Sequence, residues 1–302
     1  MRNGSRGQAF GLLVSTFFLW GSLYVGGKMI ASDMPPALVA CLRCCTAMLP
    51  LLLLARKHLK TKIERQDWKY FILVGIMGYF CTLFLIQLGI ALTGSAMASL
   101  INALTPVSVT ILAAILLKER ITAVKVVCLV LALTGTVVIT QGAGSQSEIA
   151  GIVIMLISVA TWGAASVFMR RLTAKYPAIL VTTYGMAIGL IFHIPVGVYS
   201  ALTQPVNLNA KVVLVVLYLG FFGSGVAQYT WTRSLSLLPA STCSLFYPLQ
   251  PAFAALLGMV LLDEKLTPAF LIGLVLISLD VVLSTWETKK LAAEKTAENT
   301  VK

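Results

Sequence analysis

The stretch 99-SLINALTPVS-108 places polar and helix-breaking residues inside a long apolar run. Ser99, Asn102 and Pro106 are spaced i, i+3 and i+7, so they share one face of a helix. An unpaired amide in apolar surroundings costs a few kcal/mol, and a proline removes a backbone hydrogen bond. We therefore expect this face to line a polar cavity that binds a small molecule through hydrogen bonds. A hydrogen bond from Asn102 to a neighbouring helix is the alternative.

A related stretch, 244-SLFYPLQPA-252, follows 145 residues later. It keeps the serine and the second proline in register, and its extra proline and glutamine predict a more heavily broken helix. Carbonyl groups freed by that break could bind an ammonium or a hydroxyl group. For the glutamine, a bond to a neighbouring helix is again the alternative. The candidate residues of this face are Ser244, Tyr247, Pro248, Gln250 and Pro251.

Aromatic and amide side chains near the middle of other apolar runs are further cavity candidates. Trp20 and Trp162 lie close to the midpoints of their runs, and a buried indole N–H needs a partner. Packing against the adjacent Gly21 and Gly163 is the alternative. The remaining candidates are Tyr24, Tyr79, Gln87, Gln228 and Tyr229.

Arg43 is the charged residue with the clearest possible role, because it lies roughly 10 Å into an apolar helix by helical rise. It could attract a carboxylate or phosphate near a gate. Alternatively, it could extend outward to water or pair with Asp33. Lys28, near the end of the first apolar run, could contact either a gate or lipid headgroups.

The elements that must position these residues are membrane-spanning helices. Only 11% of the residues are charged, against roughly 25% in soluble domains. Apolar runs long enough to cross about 30 Å of hydrocarbon recur throughout the chain. We predict an all-α integral membrane protein with ten transmembrane helices. They span residues 9–31, 36–55, 70–91, 95–117, 122–140, 149–170, 178–201, 211–232, 239–262 and 268–286.

The net charge of +12 is explained by topology, and we expect no nucleic-acid partner. With ten spans and both termini in the cytoplasm, the cytoplasmic segments hold all but four of the 23 Lys and Arg residues. This asymmetry is the positive-inside rule. Contact with anionic membrane lipid is expected as a consequence. The four exceptions are Lys28, Arg43, Lys211 and Lys265.

We expect no cofactor and no metal site. The motif 41-CLRCC-45 has no accompanying histidine, and helix geometry spreads its cysteines around the axis, so packing is the favoured role. No catalytic cluster is visible within a span. No acidic residue lies near the centre of the spans that hold the candidate cavity residues. This absence argues against proton-coupled transport of cations. Neutral, zwitterionic or anionic metabolites fit better.

The chain contains an internal repeat. A shift of 145 residues lays 99–122 on 244–267 without a gap. Each copy has five predicted helices, and an odd number forces the copies to cross the membrane in opposite directions. Such an inverted repeat is typical of transporters, in which the substrate binds between the copies. The same shift pairs Gly75 with Gly220 and Gly78 with Gly223.

Two five-helix copies, each with a proline-bearing fourth helix before a similar turn (119-ERIT-122 and 264-EKLT-267), resemble the EamA family of the drug/metabolite transporter superfamily. The resemblance implies a secondary carrier of the bacterial inner membrane, often an exporter of amino acids or related metabolites. It implies a cavity lined mainly by helices 1, 3, 4, 6, 8 and 9. The expected units are a first repeat at 8–140, a second at 149–286 and a charged cytoplasmic tail at 287–302.

The predicted function is therefore alternating-access transport of a small amphipathic molecule. Two alternatives remain open, a non-transporting scaffold or accessory subunit and a membrane-embedded enzyme. A homodimer also remains open.

Overall fold

The computed structural model of the chain describes residues 3–108, 111–112, 127, 130, 134, 145–237, 246–247, 249–265, 267–268, 270–276 and 279. Every regular element among these residues is helical. The α-helices are α1 (Asn3–Met29), α2 (Pro36–Ala55), α3 (Trp68–Leu73), α4 (Thr82–Thr93), α5 (Ser95–Asn102), α6 (Gln146–Thr173), α7 (Ala178–Thr203), α8 (Ala210–Tyr218), α9 (Ala227–Leu237) and α10 (Leu249–Leu262). Two π-helical segments, π1 (Val74–Cys81) and π2 (Leu219–Val226), join α3 to α4 and α8 to α9.

Within the described residues, six apolar helices are long enough to cross a membrane. They are Phe10–Met29, Pro36–Ala55, Arg65–Thr93, Gln146–Thr173, Ala178–Thr203 and Ala210–Trp231. They correspond to the predicted spans 1, 2, 3, 6, 7 and 8. The predicted spans 4, 5, 9 and 10 lie partly or largely outside the described residues, so the total of ten transmembrane helices stays a prediction.

Local sequence signals explain where several helices begin. Proline at the start of α2 has a backbone already suited to the first helical turn. Ser145 and Asn209 cap α6 and α8 by accepting hydrogen bonds from the backbone N–H of Glu148 (3.3 Å) and Val212 (2.9 Å). Outward-facing leucines such as Leu53 are largely exposed, as expected of a surface in contact with lipid.

The two π-helical segments occupy equivalent positions in the two halves of the chain. Val74 and Leu219 begin them, Cys81 and Val226 end them, and each pair is separated by the 145-residue shift found in the sequence. A π-helical turn adds a residue to the helix and redirects the side chains that follow. Both segments border the same central cavity.

Equivalent helices of the two halves exchange their packing partners. Helix α1 packs on α9 and α10 of the second half, and α6 packs on α4 and α5 of the first. Likewise α2 packs on π2, α7 packs on π1, and α2 lies against α7. Close approach requires small residues: a Cβ on Gly78 would lie 2.8 Å from the Cβ of Ala165 in α6.

Loop contacts define two faces of the bundle. On the loop face, the backbone N–H of Asn207 in 204–209 donates to the carbonyl of Asp33 in 30–35 (2.8 Å). On the linker face, segment 174–177 meets segment 56–67, where Lys175 Nζ lies 3.0 Å from an Asp67 carboxylate oxygen. Helix α2 begins at the loop face and ends at the linker face, whereas α7 begins at the linker face and ends at the loop face. The two helices therefore run in opposite directions.

Candidate functional site

A cavity with a volume of about 80 Å³ lies between the two halves. Both halves contribute to its wall, and most of the wall is apolar or aromatic. Arg43 is its one charged side chain among the described residues, and none of the lining residues is acidic. The lining residues are Trp20, Leu23, Tyr24, Arg43, Tyr79, Thr82, Leu83, Ile86, Asn102, Trp162, Met186, Gly223, Ser224, Gln228, Tyr247 and Gln250.

Nine residues singled out from the sequence are brought together in this wall. Asn102 and Tyr247 are equivalent positions of the repeat, and both line the cavity. Asn102 is the last residue of α5, and Tyr247 lies just before α10. The others are Trp20, Tyr24, Arg43, Tyr79, Trp162, Gln228 and Gln250.

Four other predicted polar residues lie elsewhere. Ser99 is buried and donates to the carbonyl of Ala96 in its own helix (2.8 Å). Gln87 is buried against α1, where its amide donates to the carbonyl of Gly27 at 3.4 Å. The remaining two are Lys28, whose Nζ lies 3.5 Å from the carbonyl of Ala91, and Tyr229, which is 38% exposed on the outside of the bundle.

The placement of Tyr229 differs from the expectation for a physical reason. Consecutive residues of a helix point about 100° apart, so the rotation of α9 can turn Gln228 toward the cavity and Tyr229 away from it. Gln228 does so, and Tyr229 faces outward with the lipid-facing side of α9.

Two of the predicted prolines, Pro106 and Pro251, are among the described residues, and neither lines the cavity. Helix α5 ends at Asn102, and a turn at 103–104 separates it from the helical residues around Pro106. Pro251 is buried in the first turn of α10, where the missing N–H of proline costs little. Ser244 and Pro248 lie outside the described residues.

Arg43 is buried, with 5% of its surface exposed, and its side chain points into the bundle. Its Nε donates to the hydroxyl of Ser224 in π2, at 2.5 Å. That hydroxyl in turn donates to the carbonyl of Leu219, five residues earlier, at 3.1 Å. Of the alternatives raised by the sequence, neither outward extension nor pairing with Asp33 describes this arrangement.

An aromatic cluster, made of Phe17, Trp20, Trp231 and Tyr247, lies next to the cavity, and Trp20 and Tyr247 of this cluster line its wall. The ring of Phe17 lies 5.0 Å from that of Tyr247, and the rings of Trp20 and Trp231 are 5.4 Å apart. The cluster joins α1 of the first half to residues of the second. Such ring pairs add to the stability of the contact beyond the area they bury.

At the loop face, the two halves are joined by a carboxylate. Glu264, just after α10, accepts hydrogen bonds from the backbone N–H of Ser95 (3.0 Å), the hydroxyl of Ser95 (2.6 Å) and the backbone N–H of Ala96 (3.3 Å). These donors form the first turn of α5, where the helix dipole also favours a negative charge. We call this contact the Glu264 clamp.

Several lining residues were missed by the sequence analysis, and Ser224 is the most important of them. A serine in an apolar helix most often bonds the backbone of its own helix, so a single serine does not indicate a binding site. The available signal was the repeat: the 145-residue shift places Ser224 on Tyr79 and Gly223 on Gly78. The other missed residues are Leu23, Thr82, Leu83, Ile86 and Met186.

The described residues hold no cluster of His, Cys, Asp or Glu that could bind a metal ion. The chemistry that the cavity offers is hydrogen bonding, one positive charge and aromatic surface.

Comparison with known proteins gives consistent matches along the whole chain. The profile of the EamA-like transporter family matches residues 7–141 and again residues 149–286. An uncharacterized transporter of Archaeoglobus fulgidus is 30% identical over 90% of this chain and 97% of that protein. An uncharacterized transporter of Clostridium kluyveri is 24% identical over 98% of each chain. The double profile match confirms the predicted duplication.

Two further matches concern a named exporter and a solved structure. A protein of Streptantibioticus cattleyicolor named "Probable terminal-alkyne amino-acid exporter" is 26% identical over 88% of this chain and 89% of that protein. A crystal structure with 22% identity has a TM-score of 0.65, covers 95% of this chain and 98% of that one, and shares the fold. With its membrane-length apolar helices, the chain is a multi-pass membrane protein.

Proposed function

We propose that this chain, which belongs to the EamA-like transporter family, is a secondary transporter that moves small amphipathic metabolites across the bacterial inner membrane by alternating access. The observation that carries the proposal is the cavity, which lies between the two halves and is lined by polar side chains of both. In an apolar bundle, polar groups turned toward a shared internal space are a costly arrangement unless a ligand or water uses them.

For the architecture, we propose ten transmembrane helices in two inverted repeats, with both termini in the cytoplasm. The opposite directions of α2 and α7, which are equivalent helices, support the inversion. The linker face carries the basic residues Arg56, Lys57, Lys60, Lys62, Arg65 and Lys175. The positive-inside rule therefore favours the linker face as the cytoplasmic one.

For the transport cycle, we propose that the halves rock about the cavity, as in other inverted-repeat carriers. The aromatic cluster joins the halves beside the cavity, and the Glu264 clamp joins them at the loop face. Each contact joins the two halves, so each must separate when the cavity opens to its side. The breaks near Pro106 and Pro251 are suited to this motion.

For the substrate, we propose amino acids or related compounds, with export as the direction. The relative named as a probable amino-acid exporter supports this class. The wall also fits, because it combines aromatic surface with a few hydrogen-bonding groups. We assign part of substrate choice to the pair Asn102 and Tyr247, where the repeat is not symmetric.

Transport in proteoliposomes tests the proposal. The purified chain is reconstituted, loaded with one unlabelled compound, and assayed for uptake of labelled amino acids, organic acids, nucleobases and quaternary amines. We expect exchange of at least one amino acid or related metabolite. If nothing moves and a membrane protein co-purifies in a fixed ratio, the chain is a scaffold or accessory subunit instead.

Two substitutions link that flux to the cavity. Asn102→Ala and Tyr247→Phe each remove a hydrogen-bonding group, and we expect flux to fall by about tenfold, the equivalent of ~1.4 kcal/mol. Folded yield, measured by size-exclusion chromatography, should stay within about twofold of wild type. An equal loss of folded protein and flux would show that these side chains support folding and not the substrate.

A further inference from the structure

Arg43 is a buried cation whose charge the described part of the protein leaves uncompensated. Among the described residues its only hydrogen bond runs from Nε to Ser224, and no carboxylate pairs with it. A guanidinium has five N–H donors, so four of them remain without a partner among the residues that the structure describes. A buried charge costs several kcal/mol unless it is paired and hydrogen-bonded. An arrangement of this kind is stable when an anion completes it.

The bond to Ser224 fixes the direction of the remaining donors. The Ser224 hydroxyl accepts from Arg43 Nε and donates to the carbonyl of Leu219, so both of its roles are used within the protein. The guanidinium is planar and rigid, so holding Nε orients the two terminal nitrogens as well. Arg43 lines the cavity, and with Nε bonded to Ser224 the terminal nitrogens are the donors left for a ligand there.

Charge and shape together select a carboxylate. A pair of parallel N–H donors matches the two oxygens of a carboxylate in a bidentate geometry. A phosphate monoester carries about −1.5 to −2 charges at neutral pH and would need more cations than the one that lines this cavity. A carboxylate carries a single negative charge, which Arg43 alone neutralises.

The remainder of the wall indicates what the carboxylate is attached to. Leu83, Ile86 and Met186 provide apolar surface, and the rings of Tyr79 and Trp162 meet edge to face with centroids 6.0 Å apart. No acidic side chain among the lining residues could pair with a second, positive group of the ligand. The wall therefore suits an apolar or aromatic body.

We propose that Arg43, positioned by Ser224, binds the carboxylate of the transported molecule, and that the substrates are monocarboxylates with an apolar or aromatic body. This inference rests on the proposed transport function, and it adds the group on the substrate that is recognised. Arg43 is the binding residue, and Ser224 is a positioning residue that acts through it.

Matched acid and amide pairs test the proposal directly. The purified chain in lipid nanodiscs is titrated with phenylacetate and phenylacetamide, indoleacetate and indoleacetamide, and isovalerate and isovaleramide, with binding followed by calorimetry. Each amide keeps the shape of its acid and loses the charge. We expect the acid of the best-binding pair to have a dissociation constant about 30-fold lower than its amide, which corresponds to about 2 kcal/mol.

Variants then locate the preference. In Arg43→Gln the ratio between amide and acid should fall to near one, because the amide binds unchanged and the acid loses its partner. Arg43→Lys keeps the charge but loses the bidentate geometry, so the ratio should fall only in part. This variant tests the proposal if Arg43→Gln folds poorly. Ser224→Ala should lower the ratio by about threefold to tenfold through a looser Arg43. Arg56→Gln, which removes an exposed arginine, is the matched control and should leave the ratio unchanged.

The outcomes separate this inference from the transport function on which it rests. If acids bind no better than their amides, or if Arg43→Gln keeps the preference, the carboxylate subsite is refuted. If proteoliposomes then still exchange neutral amides or amines, the transporter stands and only the subsite is lost. If no compound of either kind moves, the proposed function itself fails.

Discussion

Replacing Glu264 by glutamine tests whether the clamp at the loop face holds the two halves together. The carboxylate accepts three hydrogen bonds from Ser95 and Ala96 at the start of α5, while Glu264 itself follows α10 in the second half. Its backbone N–H donates to the carbonyl of Gly258 at 3.2 Å, which fixes the turn that presents the side chain. Glutamine keeps one acceptor oxygen, removes the charge and turns an NH₂ group toward donors.

The size of the effect follows from these contacts. A hydrogen bond to a charged group contributes about 1.5–3 kcal/mol, and a charge at a helix N-terminus adds about 0.3–1 kcal/mol. The three bonds share one partly exposed group and are not additive, so we expect Glu264→Gln to cost about 2–3 kcal/mol. For a chain of this size, that corresponds to a fall in Tm of about 3–5 °C.

Thermal unfolding in detergent, followed by tryptophan fluorescence, measures the effect. Asp263→Asn is the matched control, because it removes the neighbouring carboxylate at a residue with φ of 53°, which asparagine tolerates well. Ser95→Ala should cost about 1 kcal/mol in the wild type and almost nothing in the Glu264→Gln background. If Glu264→Gln melts with the control, or if the two substitutions are additive, the clamp does not stabilise the fold.

Two further predictions concern the ends of the spans. Gly94→Ala should cost about 1–2 kcal/mol, read as a lower Tm, because Gly94 has φ of 90° and its new Cβ would lie 3.1 Å from a Glu264 oxygen; an unchanged Tm would contradict this. Lys175→Met should lower the Tm at neutral pH by removing the ion pairs of Lys175 with Asp67 and Glu64 at the linker face. Hydrogen bonds to Asp67 and then Glu64 raise the pKa of Lys175 above its ordinary value of 10.5, so its contribution is complete below that value and disappears as the pH rises through the raised pKa. The Tm difference between wild type and Lys175→Met should therefore be constant from about pH 6 to 9 and shrink above about pH 10.5, and a difference that grows at high pH would refute the assignment.

The start and end of α2 were predictable from its sequence, whereas the start of the third span was not. Proline fixes the start of Pro36–Ala55, and the basic residues that follow end its apolar run. The third span begins at Arg65 and not at residue 70. Its extra turn leads to Asp67, whose carboxylate accepts a hydrogen bond from the Tyr176 hydroxyl of the other half (2.9 Å). A contact between distant segments leaves no local signal in the sequence.

Depth within a span indicated which candidates line the cavity better than helical periodicity did. Trp20 and Trp162 lie near the middle of their spans, and both line the cavity. Ser99 and Asn102 share one helical face, yet only Asn102 lines the cavity, because α5 ends there and Ser99 remains one turn inside the packed helix. Helical periodicity specifies which residues lie together, but only tertiary packing determines which way they face.

The symmetric scaffold carries an asymmetric site, and this difference is what a carrier of asymmetric molecules requires. The π-helical segments and glycines recur at equivalent positions, so both halves can make the same movement. The polar residues do not recur, since a tyrosine stands opposite each of two of them. At the 145-residue shift, Asn102 is matched by Tyr247 and Ser224 by Tyr79.

The charge of the cavity wall is confined to one side. Among the described residues, Arg43 is the one charged side chain that lines the cavity. The cavity thus has one cationic wall, at Arg43, and aromatic surface elsewhere. A molecule with one charged end and one apolar end then has a single favourable orientation, which the rocking of two equivalent halves would preserve. Under the proposed transport function, duplication accounts for the motion, and the divergence of the paired residues accounts for the direction in which the substrate is held.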